Sequence, residues 1–181
     1  MRRYFMILIS ALLMSMIIGA CSSGGSQNTS AEAVDVKRLV QDFSERTVTA
    51  KNASISSKEL VVTNADSKAV AYPLPEDEFF VSIAPYIEHT HECAIHSLTG
   101  CQGELANKEM NVHIEDAEGH TVLEQTMTTY ANGFLDLWLP RNQTYRITIT
   151  YDGKTATSEF STFEHDNTCI TTIRLTDAPS A

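Results

Sequence analysis

From residue 109 onward, short runs of alternating apolar and polar residues each end in a turn signal. This pattern confines the region to an antiparallel β architecture. Met110–Glu115 alternates and stops at Asp116-Ala117-Glu118-Gly119, and Thr121–Thr129 follows. Asn132-Gly133 marks the next turn, because this dipeptide accepts the left-handed backbone of tight connections. Phe134–Leu139 sets Leu135, Leu137 and Leu139 against Phe134, Asp136 and Trp138. Gln143–Tyr151 places Tyr145, Ile147, Ile149 and Tyr151 on one face. Asp152-Gly153 predicts a hairpin with Lys154–Thr162, and Cys169–Leu175 is read as the last strand.

Upstream, residues 32–46 carry Val36, Leu39, Val40 and Phe43 at the spacing of one amphipathic helix. Glu59–Thr63 and Ala69–Tyr72 flank the turn-rich Asn64-Ala65-Asp66-Ser67 and read as a hairpin, closed by Pro73 and Pro75. Phe79–Ala84 is a further strand, broken by Pro85. The fold class expected is therefore α+β and mostly β. An N-terminal helix with a small β unit (32–86) precedes a β-rich part (87–181) built as an antiparallel β-sandwich. That sandwich resembles the transthyretin-like or immunoglobulin-like type, which carries no chemistry of its own.

The N-terminus reads as an address. Arg2 and Arg3 precede the apolar run Phe5–Ile18, shorter than the roughly 20 residues of a membrane span. Gly19-Ala20-Cys21 resembles a bacterial lipobox. This resemblance implies a lipoprotein signal peptide over 1–20, lipidation of Cys21, and a flexible tether over 21–31. The expected location is extracytoplasmic, lipid-anchored at the cell membrane or its periplasmic face. The whole chain has 13 Lys and Arg against 23 Asp and Glu. Losing Arg2 and Arg3 leaves 11 cations and a net charge of −12. A phosphate backbone demands a basic face, so nucleic acid is excluded as a partner. With Cys21 lipidated, the mature chain keeps Cys93, Cys101 and Cys169, and an odd number leaves one thiol without a disulfide partner.

Residues 89–101 read His-Thr-His-Glu-Cys-Ala-Ile-His-Ser-Leu-Thr-Gly-Cys. Three of six histidines and two of three mature cysteines fall in these 13 positions. Thiolates with imidazoles are the donor set of Cu(I), Zn(II) or an iron–sulfur site. Cys93 and His96 would share a face on a helical turn. His89, His91 and Cys93 would share one on an extended segment. Gly100 permits a turn returning Cys101 towards Cys93. Cys169, at the start of the last strand, is close to this loop if the sandwich folds it back. Three converging thiolates suit Cu(I), while a structural zinc would take three sulfurs and one histidine.

The segment His89–Leu105, together with His165-Asp166-Asn167-Thr168-Cys169, is similar to the signature of the CueP family of bacterial periplasmic copper-binding proteins. The resemblance covers essentially the whole mature chain. It implies a non-enzymatic copper-binding protein of copper resistance, a metallochaperone or buffer holding Cu(I). The implied partners are the copper ion, a client such as copper–zinc superoxide dismutase, and a second copy in a homodimer. The candidate ligands are Cys93, Cys101 and Cys169, with His91 and His96 as nitrogen neighbours and His89 behind them. His165 ranks lower again. His113 and His120 read as ordinary surface or core histidines, and Met110 and Met127 as core. A cysteine pair could also reduce Cu(II) by closing a disulfide.

Three alternatives remain open at this level. They are a zinc site, a thiol–disulfide redox lipoprotein, and a surface binding module in which Cys93–Cys101 or Cys101–Cys169 is a structural disulfide. The redox reading lacks the usual Cys-x-x-Cys at a helix start. Hydrolase and nucleotide chemistry are set aside, since the sequence offers neither a nucleophile elbow nor a phosphate-binding glycine loop.

Overall fold

Alternation becomes strand almost wherever the sequence carries it. The computed structural model describes residues 34–177. The expected signal peptide, Cys21 and the tether lie outside the described residues. In chain order the elements are α1 (Val36–Ser44), β1 (Asn52–Ile55), β2 (Glu59–Thr63), β3 (Ala69–Pro73), β4 (Glu78–Ile83), β5 (His96–Ser97), β6 (Glu109–Glu115), β7 (Thr121–Thr128), β8 (Leu135–Pro140), β9 (Thr144–Tyr151), β10 (Lys154–Ser161), β11 (Cys169–Ile170) and β12 (Thr176–Asp177). The described chain is mostly β with one short helix, as the α+β, mostly β expectation had it.

The strands form three sheets, ordered β3-β2-β1-β5, β12-β10-β9-β6-β7 and β11-β4-β8. The small central sheet organises the rest. One face of β4 and β8 presents Phe79, Val81, Ile83, Leu135, Leu137 and Leu139 to Met110, Val112, Ile114, Tyr145, Ile147 and Ile149 of the five-stranded sheet. On the other face, Phe80 packs with Val40, Phe43, Ile55, Leu60 and Leu98, and Trp138 lies against this second cluster. Covered on both sides, β4 reads as a nearly continuous apolar run rather than an alternating one. Burial of Phe79 and Phe80, both fully enclosed, contributes roughly 1.5–3 kcal/mol each.

The helix starts later than its periodicity indicates, because the Asp35 carboxylate accepts from the Arg38 N–H and caps it. Arg46, with φ of 60°, ends it. The hairpin at Asp152-Gly153 has positive φ at both residues, the mirror-image turn that joins twisted strands, and β9 and β10 pair over their full length. Asn132-Gly133 is also a turn, but not a hairpin: β7 pairs with β6, whereas β8 pairs with β4. The turn moves the chain from one sheet to another. The expected last strand, Cys169–Leu175, is divided. β11 runs parallel to β4, Arg174 bridges to Tyr86, and β12 pairs with β10. The expected all-antiparallel pairing is therefore broken by β11. The described residues belong to one compact unit, and pairing crosses residue 86: β4 joins β8 and β11, and β5 joins β1.

Candidate metal centre

Sequence-distant backbone segments hold the cysteines. Ser82 of β4 faces Cys169 of β11, and the Ser82 and Ala84 N–H groups donate to Thr168 and Ile170 carbonyls at 2.8 Å. The N–H groups of Thr168 and Cys169 both donate to the Ala94 carbonyl, at 3.0 and 3.2 Å. Cys169 is thereby bound to the loop that carries the other two thiols. That loop is fixed at β5, where His96 pairs with Ile55 and its N–H donates to Thr168 Oγ1 at 3.1 Å.

The turn after β5 brings Cys101 back. The Cys101 N–H donates to the Ser97 carbonyl at 2.9 Å, and Cys93 Sγ lies 3.5 Å from Cys101 Sγ. Gly100 bears on space rather than handedness here, since a Cβ would come 2.9 Å from Ser97 Oγ and that side chain would have to move. At the near end of the loop, one Glu104 carboxylate oxygen accepts from the N–H groups of Ile87, Glu88 and His89 at 2.7, 3.0 and 3.2 Å. At its far end, Gly103 packs backbone to backbone on Gly133.

Two donor groups result. In one, ligand atoms of His91, Cys93 and Cys101 all lie within 4.8 Å of one another; in the other, those of His96, Cys101 and Cys169 do. Cys101 belongs to both. All three cysteines are free thiols, Cys169 buried and the other two half-buried. His91 Nε2 and His96 Nδ1 are buried and have no hydrogen-bond partner among the described residues. Buried polar atoms are almost always partnered, so two such nitrogens beside three thiols fit a soft cation. Phe134 backs both imidazoles, with ring centroids 4.6 Å from His96 and 6.3 Å from His91.

The thiols are not equivalent. The neighbouring Cys169 thiol holds the Cys101 pKa well below the ordinary thiol range. Partial burial opposes this, while the Ser97 N–H reinforces it. The Cys101 sulfur beside it raises Cys169 in turn, and burial raises it further. Burial is the main cause raising Cys93. A groove of about 320 Å³, lined by Glu159, Phe160, His165 and Asp166, opens onto Cys93 and Cys169.

The helical turn envisaged for Cys93 and His96 does not form; His96 is in β5 and the residues before it are irregular. His89 is exposed and in neither donor group, because Glu104 holds its backbone at the loop's outer end. His165 lines the groove without joining a group, and His113 pairs with Glu115 on a surface strand. Sequence reasoning missed Phe134, Glu104, Ser82 and Asp136. Only the last two left a signal, as polar residues inside otherwise apolar strands.

Residues 35–174 match the family described as periplasmic copper-binding protein CueP. The chain is similar to the crystal structure of S.CueP at 36% sequence identity, with a TM-score of 0.73 over 78% of this chain and 88% of that one. No curated protein matches it.

Proposed function

The chain belongs to the CueP family of periplasmic copper-binding proteins, and on that premise we propose that it binds Cu(I) outside the cytoplasm through Cys93, Cys101 and Cys169. His91 and His96 serve as nitrogen neighbours. The observation that carries this reading is the pair of unpartnered, buried imidazole nitrogens converging with three free thiols on one shared sulfur. Soft sulfurs favour Cu(I), while imidazole receives Cu(II). The thiols also supply electrons. Two thiols and two Cu(II) ions become one disulfide, two Cu(I) ions and two protons, and the Cys93 and Cys101 sulfurs lie 3.5 Å apart.

The protein is a binder in this reading, a metallochaperone or copper buffer, and not an enzyme. The lipobox-like Gly19-Ala20-Cys21 supports lipid anchoring, which favours a membrane-held buffer that passes copper to a client such as a copper–zinc superoxide dismutase. A homodimer belongs to the same proposal. A core shared by the three- and five-stranded sheets supports the sandwich assignment.

The test is a Cu(I) competition titration of the reduced protein, run against Zn(II), with free thiols counted before and after. Tight one-to-one Cu(I) uptake that protects all three thiols supports the proposal. Preference for zinc, or no copper uptake, discards it.

A further inference from the structure

Ser82 is an anomaly in β4. It is fully buried, and from Phe79 to Ile83 it is the one polar residue of the strand. Its register neighbours are Asp136 on β8 and Cys169 on β11, so it stands between a carboxylate and a proposed copper ligand. Asp136 is half-buried. Burial raises its pKa, and the hydrogen bonds from Ser44 and Ser82 oppose this. Ser82 Oγ donates to Asp136 Oδ1 at 2.6 Å, and Ser44 Oγ donates to Oδ2 at 2.5 Å. His96 Nε2 lies 3.4 Å from the same Ser82 oxygen.

A hydroxyl has one proton to give and lone pairs to receive with. Ser82 gives its proton to the carboxylate. Toward His96 it acts as acceptor, and Nε2 is the donor. A neutral imidazole carries one N–H, so Nδ1 keeps its lone pair. Nδ1 is the atom left buried without a partner. A ring nitrogen of His96 lies within 4.8 Å of the Cys101 and Cys169 sulfurs. The packed face of Phe134 restrains the ring.

We propose that Asp136 and Ser82 are positioning residues that lock His96 in its Nε2–H tautomer and so present the bare Nδ1 to the metal. This rests on the copper reading for its purpose, but the tautomer exists without copper. Groups behind a ligating histidine commonly orient the ring and set which nitrogen binds. Here the relay is assembled from residues 44, 82, 136 and 96, which lie on four different elements.

The experiment records two-bond proton–nitrogen correlations of the imidazoles in the reduced, metal-free protein, at a pH well above the histidine range. His96 is expected with its proton on Nε2. In Ser82→Ala the tautomer is expected to become mixed or to invert, and Cu(I) affinity to fall by about 10- to 100-fold. Loss of a merely structural hydroxyl would lower stability without moving the tautomer. A proton on Nδ1 in the wild type overturns the proposal whether or not the variant folds. So does an unchanged tautomer in Ser82→Ala. If the wild type takes up no Cu(I), the copper reading fails, and the wild-type tautomer still decides this one.

Discussion

Glu104 anchors the loop that carries the candidate ligands, and its removal has a calculable consequence. Its carboxylate accepts three backbone N–H groups at 2.7–3.2 Å. Hydrogen bonds to a charged acceptor contribute about 1.5–3 kcal/mol each when enclosed. Glu104 is exposed, so solvent screens all three, and about 1–2 kcal/mol in total is a fair scale. Glu104→Gln keeps one carbonyl acceptor and loses the charge. It should cost about 1 kcal/mol at neutral pH, a fall in Tm of about 2–4 °C for a domain of this size. The pH dependence follows from the carboxyl's shift. Burial works to raise its pKa, but the N–H groups of Glu88, Ile87 and His89 and the charge of His89 outweigh it and hold the pKa below the ordinary glutamate value. A carboxylate with a depressed folded-state pKa stabilises fully above its unfolded value of about 4.3 and loses that contribution as pH falls through the lower folded value. Melting curves of wild type and Glu104→Gln from neutral pH to about pH 3 should therefore converge in the acid range. A deficit that persists unchanged through that range, or no deficit at neutral pH, would refute the anchor.

Cys169→Ser should weaken Cu(I) binding strongly in a chelator competition although Cys169 is far from the loop in sequence; unchanged affinity would remove it from the ligand set. Gly133→Ala should destabilise more than Gly153→Ala in denaturant unfolding. Both have positive φ, but only at Gly133 would a Cβ meet backbone, 2.5 Å from the Gly103 carbonyl oxygen. Brief alkylation of the metal-free protein at neutral pH should label Cys101 first and Cys169 last by peptide mass, following their opposite pKa shifts. Cys21→Ala should abolish labelling with radioactive palmitate and release the protein from the membrane fraction; retained label would exclude Cys21 as the lipid site.

β6, β8 and β9 were legible because each has one buried face, which forces alternation: Leu135, Leu137 and Leu139 read directly, as did Tyr145, Ile147 and Ile149. The thiol and imidazole density at 89–101 was equally plain. Less legible was anything that depends on partners distant in sequence. β5 has two residues, too few for a periodicity, and exists because β1 offers an edge. The Asn132-Gly133 turn was readable as a turn, but its conformation does not state whether the next strand returns to the same sheet. Within the loop, spacing allowed both a helical and an extended geometry. Tertiary pairing of His96 with Ile55 decided the matter and left His89 outside.

The donor set is held by backbone that the fold pairs for its own sake. Cys169 is fixed by the β4–β11 ladder, His96 by the β1–β5 ladder, and Cys101 by a turn leaving β5. Such a site has little ordering left to do when metal arrives. It also carries a standing cost without metal, since each buried, unpartnered polar atom costs about 1–3 kcal/mol, and His91 and His96 contribute one each. Copper held as proposed would relieve this cost by accepting the two nitrogen lone pairs. On that proposal binding is favoured partly because the fold leaves these two buried atoms poorly satisfied, where the β1–β5 and β4–β11 ladders meet.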